Sequence, residues 1–392
     1  MAKKKIRSAG IAYCYSHRNE FVDYSDMESA DLYTPGTGKL ANCRSKRLKN
    51  VYWLFYSNAV LCKAAYNAQK GKGGRGDIQN FNRHYLENQN NLYDMLVSET
   101  YTPGKYRVKK IRDPKERDIM IAPFYPDRIV HHCVIIVLGQ HWQHTFIENT
   151  YACVKGRGIH KCVEDVHRAL VGDPAGTRYC LKIDIRKFYD NVDHEALKKI
   201  IRYTLADPKA LRLLDKIIDS NGREKGLPIG NFTSQYLANL YLSYFDHFVK
   251  EDLKVRYYYR YMDDVVVLDG SKDRLHYLLD KFGLYLGAEL KVEIKPNWQI
   301  FPVDARGIDY VGFRQDHHMV TLRKSILLRF YRKWNETKDR YQIENEDDFK
   351  RVYSSEYGWI IRCSKVHSDF ILTKCIDNDK QGKIEPRIAH GD

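Results

Sequence analysis

Two adjacent carboxylates, Asp263 and Asp264, stand between two runs of strand-forming residues in RYYYRYMDDVVVLDG, Arg256 to Gly270. Aromatic and β-branched residues on both sides read as the arms of a hairpin with Asp-Asp at its tip. Like charges side by side repel, and in an apolar setting one is driven toward protonation. A divalent cation removes that conflict, because Mg2+ takes oxygen ligands and is commonly held by one or two carboxylates plus substrate phosphates. Asp-Asp is equally a turn signal, so the pair alone leaves both readings open. A second segment adds weight to the metal. In RYCLKIDI, Leu181, Ile183 and Ile185 alternate with Cys180, Lys182 and Asp184, which delivers Asp184 near the end of a strand. Three carboxylates brought together in this way would hold two metals ~3.5–4 Å apart, the arrangement that serves in-line phosphoryl or nucleotidyl transfer.

The surrounding pattern is α+β. Residues 1–45 are polar and turn-rich without a clear period, so they read as an irregular extension. Helical periodicity runs from Leu48 to about Ser98 and is punctuated by YTPG at Tyr101 to Gly104. Asp193 is a predicted N-cap for a helix with Leu197, Ile200, Ile201 and Leu205 as its apolar stripe. Asp207 caps a second helix, with Pro208 at its first position and Asn221-Gly222 as its stop. Helices with apolar stripes follow on Leu237 to Phe248 and on Leu275 to Leu286. This order predicts a mostly antiparallel sheet carrying helices on one face.

Composition narrows the partners. Lys plus Arg number 65 against 50 for Asp plus Glu, a formal charge of +15 over 392 residues, which favours a polyanion or an anionic membrane. No apolar run approaches the ~20 residues of a membrane span, and His131 and His132 interrupt the best one. The Lys3-Lys4-Lys5 start leads into too short an apolar stretch for a secretory signal, and the nine cysteines form no CxxC pair, so a cytoplasmic, reduced setting and no membrane partner are expected. Cys153, Cys162, His141 and His144 lack a zinc spacing and read as ordinary core or surface residues. GKGGRG, Gly71 to Gly76, fits a dinucleotide fingerprint on paper but follows a helical segment, so it reads as a flexible basic loop.

YMDD between strands, preceded in order by LKIDIRKFYDNVDH and GLPIGNFTSQYLANLYL, resembles the palm of a reverse transcriptase. IRDPKERDIMIAPFYPDRIVHH resembles the fingers motifs of that family, LKVEIKPNWQIFPV its segment after the palm helix, and GIDYVGFR its primer-grip hairpin. The resemblance covers roughly Tyr101 to Phe313. It implies a right-hand polymerase with fingers, a ferredoxin-like antiparallel palm and a helical thumb, divided as residues 1–45 (extension), 46–178 (N-terminal helices and fingers), 179–315 (palm) and 316–392 (thumb and tail). In that family the equivalents of Asp184, Asp263 and Asp264 are catalytic and, with the Ile185 carbonyl, hold two Mg2+ ions, for which Mn2+ can substitute.

Carried over position by position, Tyr189 matches the steric gate, whose ring leaves no room for a 2′-hydroxyl; elsewhere in a chain with 30 tyrosines a core role would be the default. Lys187 and Phe188, beside it, fall in the nucleotide-binding set. Arg112 and Arg117 match residues that neutralise the incoming triphosphate. Ile229 and Gly230 lie in the loop that contacts the nucleotide. Lys295 is the candidate acid for pyrophosphate release, with Lys291 as its rival and a solvated surface lysine as the alternative for either. Tyr261, Met262, Gly312 and Phe313 fall at primer or template positions; for Gly312 and Phe313 the plain alternative is a tight hairpin with a buried aromatic. Arg323 and Lys324 open the basic, amphipathic TLRKSILLRFYRKW, where Leu327, Leu328 and Trp334 stand among the cations, a helix whose charge fits a thumb tracking a nucleic-acid backbone.

Most bacterial and intron-type relatives carry Gln before the glycine of the IGNFTSQ loop and Ser-Pro at its end; here Ile229 precedes Gly230 and Gln235 follows Ser234. Together with NWQIFPVDARGIDYVGF and LRKS, this resembles the reverse transcriptases of diversity-generating retroelements. That resemblance implies copying of a template RNA into cDNA with errors at adenine, deoxynucleoside triphosphates as substrates, and a small, oligomeric helical accessory protein as partner. The length after the motifs leaves no room for a sizeable nuclease or RNase H domain, so other proteins are expected to supply later steps. A defence-associated or intron-type reverse transcriptase, or a catalytically idle nucleic-acid-binding scaffold, are the rival readings.

Overall fold

A computed structural model describes residues 47–112, 116–341 and 343–377. The expected extension over residues 1–45 lies outside the described residues. In chain order, helices α1 (Asn58–Gln69), α2 (Gly76–Arg83) and α3 (Tyr85–Val97) precede a two-stranded ribbon, β1 (Arg107–Ile111) and β2 (Arg117–Ile121). α4 (Ile129–Gln143) and α5 (Ile159–Gly172) lead to β3 (Tyr179–Asp184), and α6 (His194–Thr204), α7 (Pro208–Ile218) and α8 (Phe232–His247) lead to β4 (Tyr257–Tyr261) and β5 (Asp264–Asp269). After α9 (Lys272–Leu290) come β6 (Gln299–Pro302), β7 (Ile308–Tyr310), β8 (Phe313–Gln315) and β9 (Val320–Leu322), then α10 (Lys324–Thr337), α11 (Glu346–Val352), α12 (Ser354–Ile360) and α13 (Lys365–Asp377). Among the described residues no helix is long and apolar enough to cross a membrane.

The chain divides into two interleaved units. The first takes the chain to Ile147 with Arg186–Asp246 and Leu286–Val292; the second takes Glu148–Ile185, His247–Tyr285 and everything from Glu293. In the first, α1 packs on α4. Ala64, Ala65 and Ala68 of α1 are buried and let the backbones approach the apolar Ile129, Val130, Cys133, Val134 and Leu138 of α4. His131 is buried with them, and burial holds its imidazole neutral, down at about 3. The caps are those the sequence predicts: the Asp193 carboxylate accepts from the Ala196 amide, and Asp207 accepts from Lys209 and Ala210 with Pro208 behind it. Gly222 ends the run in the left-handed region at φ 69°. The Gly71–Arg75 stretch is turn between α1 and α2, as a basic loop should be.

The second unit is built on a four-stranded sheet of order β4-β5-β3-β6, antiparallel throughout. Cys180, Tyr259, Val266, Leu268 and Phe301 form one face and share a core with Cys162, Val166 and Leu170 of α5. The opposite-facing Leu181, Ile183, Tyr258, Val265 and Val267 are also fully buried. This corrects the expectation of helices on one face: the unbroken apolar run of β5 is the signature of a strand covered on both sides. A separate three-stranded sheet, β7-β8-β9, packs with the C-terminal helices around Phe313, Phe330, Trp334, Phe349 and Ile371. The inward seam of α10 runs through Phe330 and Trp334 with Leu327 partly buried, while Leu328 is 52% exposed.

Candidate active site

Strand register places the carboxylates. Asp184, the last residue of β3, pairs with Asp264, the first of β5, and Asp264 pairs on its other side with Tyr261 of β4. Met262 and Asp263 are left as a two-residue turn. Met262 lies in the left-handed region at φ 54°, a conformation costing an ordinary L-residue roughly 1–2 kcal/mol, and its surroundings hold it there. Arg260, fully buried, donates through Nη1 to the Met262 carbonyl at 3.0 Å, and the Ile185 amide donates to the Asp263 carbonyl at 3.3 Å. Ile185 is itself bridged to Ile294.

Electrostatics at this corner are unfavourable for the protein alone. Asp263 is pushed up to about 6, first by burial and then by Asp184, with Lys295 opposing. Asp264 is also raised to about 6, by burial first; Lys182 lowers it, while Asp184 and Asp263 push it higher. Lys295 donates through Nζ to Asp184 Oδ2 at 2.5 Å, and its amide donates to the Asp184 carbonyl at 2.8 Å. Lys182 Nζ stands 3.7 Å from Asp264 Oδ2. Lys291 pairs instead with Asp193, the cap of α6, at 3.0 Å, so of the two candidate lysines the fold brings Lys295 to the carboxylates.

Among the described residues no three His, Cys, Asp or Glu side chains are set to hold a metal as they stand, and lysine ammonium groups lie against Asp184 and Asp264. Yet Oδ1 of Asp184 and Oδ1 of Asp264 are buried without a hydrogen-bond partner. Unsatisfied carboxylate oxygens beside raised, repelling neighbours are the donor set a hard divalent cation fits. The candidate cysteine and histidine cluster yields no such group among the described residues, and Cys162 is buried in the core.

Next to the sheet, the β7–β8 hairpin turns at Val311 (φ 45°) and Gly312 (φ 95°). A Cβ at Gly312 would lie 2.7 Å from the Trp359 ring and 2.8 Å from Ile326, so glycine is required on both counts. Phe313 is wholly buried and stacks on Trp359 at 5.2 Å. Its ring is therefore spent on packing. Tyr310 donates to the carbonyls of Tyr259 and Asp264 at 3.2 Å each, and Lys182 donates to the Asp309 carbonyl. Arg323 pairs with Asp309 at 2.5 Å, while Lys324, first in α10, is exposed. Tyr261 and Met262 are half-buried.

The nucleotide-set residues of the first unit form a second cluster. Lys187 is exposed and left-handed at φ 43°, and opens a single helical turn, Phe188–Asn191. Phe188 is buried, its ring tilted against Tyr241 at 6.3 Å. The Tyr189 carbonyl accepts from the Leu227 amide at 2.7 Å, and two residues on the Ile229 carbonyl accepts from the Met120 amide at 2.9 Å. A Cβ at Gly230, φ 122°, would meet the Met120 carbonyl oxygen at 2.7 Å. The loop is thus stitched between the Tyr189 turn and β2, with Tyr189 and Ile229 half-buried and Gly230 exposed. Arg112 is exposed just past β1; the Arg117 side chain lies outside the described residues. Sequence reasoning missed Lys182, Arg260 and Tyr310. Lys182 had a signal, since it shares the face of Asp184 two residues away.

Residues 115–314, just over half the chain, match the family described as Reverse transcriptase (RNA-dependent DNA polymerase). The group II intron-encoded protein LtrA of Lactococcus lactis is 24% identical over 220 residues, 53% of this chain and 35% of that protein. Protein YkfC of Escherichia coli is 24% identical over 268 residues, covering 57% and 70%. A 91 kDa protein in the cob intron of Schizosaccharomyces pombe is 24% identical over 310 residues, covering 71% and 37%. The chain therefore spans about a third of the length of the Lactococcus relative. Among solved structures, apo telomerase from Candida tropicalis aligns with a TM-score of 0.43 at 12% identity, over 62% of this chain and 53% of that one.

Proposed function

Given that the chain belongs to the reverse transcriptase family, with group II intron-type relatives, we infer that it is an RNA-directed DNA polymerase that makes error-prone cDNA for a diversity-generating retroelement. The observation that carries the polymerase reading is the register that sets Asp184 beside Asp264, with an unsatisfied, buried oxygen on each. On this reading the four-stranded sheet is the palm, the β1–β2 ribbon belongs to the fingers and the helices from α10 onward form the thumb.

Asp184, Asp263, Asp264 and the Ile185 carbonyl would hold two Mg2+ ions, with Mn2+ able to substitute; bound there, the ions supply Lewis-acid stabilisation of the charge on the transferring phosphoryl group. The chain's own groups do the rest. Arg112 and Arg117 neutralise the triphosphate, and Tyr189 excludes a 2′-hydroxyl. When the primer 3′-oxygen bonds to the α-phosphorus and pyrophosphate leaves, Lys295 is the group that gives the leaving oxygen a proton. The Gly312 backbone, Tyr261, Met262, Arg323 and Lys324 hold primer and template.

The finer reading is supported by Ile229, an apolar, β-branched residue where intron-type relatives carry Gln: it fills volume but offers no polar contact near the incoming nucleotide. A small helical accessory protein is the expected partner and the cytoplasm the expected setting. The intron-type relatives favour a second reading, a polymerase of ordinary fidelity serving an intron. The test is synthesis on an RNA template with a DNA primer, deoxynucleotides and Mg2+, followed by sequencing of the cDNA. Errors concentrated opposite adenine support the first reading, uniform fidelity the second, and no Mg2+-dependent product from folded protein refutes both.

A further inference from the structure

Asp219, Ser220 and Asn221 make one tight helical turn at the end of α7, closed by Gly222, and all three side chains bear on the loop that carries Ile229. His194 opens α6, is 2% exposed, and sets Nδ1 3.0 Å from the Asp219 carboxylate and Nε2 2.8 Å from the Gly226 carbonyl. Both partners accept, so the ring makes both bonds at once only with a hydrogen on each nitrogen. Lys198 takes the second oxygen of Asp219 at 3.0 Å and keeps that carboxylate turned to the ring. Asn221 donates to the same Gly226 carbonyl at 2.6 Å, and the Gly226 amide donates to the Val192 carbonyl at 2.8 Å. The entrance of the loop is thereby held on both of its backbone groups. It also lies against the turn that carries Tyr189, since a Cβ at Gly226 would stand 3.3 Å from the Tyr189 carbonyl oxygen.

The exit of the loop is tied to the same turn. Ser220 Oγ donates to the Ile217 carbonyl at 2.6 Å, so toward Tyr106, 2.7 Å away, it accepts the phenol hydrogen. Tyr106 accepts in turn from Asn231 Nδ2 at 2.7 Å. These bonds run one way, from Asn231 through Tyr106 and Ser220 to the backbone of α7, and a chain of that kind strengthens each of its members. Gly226 and Asn231 bracket Ile229, so two polar tethers from one turn fix the ends of the segment between them. Apolar packing alone would bury such a loop without setting where its backbone lies; directed hydrogen bonds set it.

We propose that His194 and Tyr106 are positioning residues for the incoming deoxynucleotide, holding the two ends of the Ile229 loop on the Asp219–Asn221 turn. The proposal rests on the polymerase reading for the identity of the nucleotide. Three variants of the full-length protein test it. Tyr106→Phe keeps the ring and cuts the chain from Asn231. His194→Asn keeps a donor where Nδ1 stands, toward Asp219, and loses the one to Gly226, whereas His194→Gln places its amide where Nε2 stands and keeps the bond to Gly226. Tyr106→Phe and His194→Asn are expected to raise the deoxynucleotide KM roughly fivefold with kcat changed less than about twofold, the scale of one hydrogen bond, and His194→Gln to bring KM back within about twofold of the unaltered protein. Hydrogen exchange at the amides of residues 226–231, which needs no activity, should quicken in the first two variants and stay slow in the third. Unchanged KM in all three, equal losses in His194→Asn and His194→Gln, or a fall in kcat alone overturns the proposal. If neither His194 variant folds, Tyr106→Phe decides by the same two readouts. DNA synthesis by the unaltered protein separates the two ideas: product with variant-insensitive KM and exchange defeats the tethers alone, and variant-sensitive exchange without product defeats the polymerase reading alone.

Discussion

Lys182 stands with its Nζ 3.7 Å from Asp264 Oδ2 while donating to the Asp309 carbonyl, so one ammonium links a carboxylate of the β3–β5 corner to the β7–β8 hairpin. Tyr310, which lies under the same ammonium at 5.9 Å, adds a second tie through its bond to the Asp264 carbonyl. Removing the charge while keeping the length, in Lys182→Met, cuts one tie and frees Asp264 of a competing cation. We expect kcat to fall roughly tenfold, the scale of a small misplacement at a reacting centre, and the Mg2+ concentration for half-maximal rate to drop. Steady-state synthesis across a Mg2+ series checks both, and an unaltered Mg2+ response would show that Lys182 does not compete at Asp264.

Asp263→Asn should abolish Mg2+-dependent synthesis and leave RNA binding largely intact, because it removes a ligand charge from a site built on electrostatics. It should also raise the melting temperature of metal-free protein by a few degrees at pH 8. The sign follows from the raised carboxyls. Asp263 and Asp264 sit at about 6 when folded against ~3.9 when unfolded. Their protonated forms stabilise the fold below about pH 4, and that contribution is lost as the pH rises through about 6. Melting curves of both proteins from pH 4 to 8, with and without Mg2+, test this; equal pH profiles would refute it.

Tyr189→Ala should admit ribonucleotides with DNA synthesis retained. Tyr189 is half-buried, and its backbone is pinned by Leu227, so loss of the ring opens volume without releasing the turn. Incorporation ratios for the two nucleotide classes decide it, and an unchanged ratio makes Tyr189 a packing residue.

Ile229→Gln should lower misincorporation opposite template adenine more than opposite the other bases. The backbone bond from Met120 to the Ile229 carbonyl survives the change, so the loop keeps its place while its side chain gains polar contacts. Discrimination worth ~1.4 kcal/mol would change the error ratio tenfold. Sequencing cDNA from both forms on one template is the measurement: a uniform fall at all four bases would remove the adenine-specific part.

What could be read from the chain was local or periodic. Asp193 and Asp207 as caps, Gly222 as a stop and Asp184 at a strand end are fixed by neighbours a few residues away, and the structure has them so. The contacts that shape the carboxylate corner of the second unit and the loop of the first are not local. Lys182 meets Asp309, Lys295 meets Asp184 and Ile229 meets Met120 across more than a hundred residues each, and nothing in a helix or strand period names such partners. The buried rings of Phe188 and Phe313 illustrate the same boundary: a motif gives their position in the chain, while only packing decides which way an aromatic side chain is spent.

The order of the sheet, β4-β5-β3-β6, sets a timetable for synthesis. β3 is made early and lies in the middle, yet Asp184 meets Asp264 80 residues later and Cys180 meets Phe301 121 residues later. On the ribosome, both edges of β3 therefore wait for most of the chain to emerge, and such distant pairings form slowly. A nascent or prematurely stopped product carries the first carboxylate without its neighbours, so the corner that gathers Asp184 and Asp264 is completed only late in synthesis.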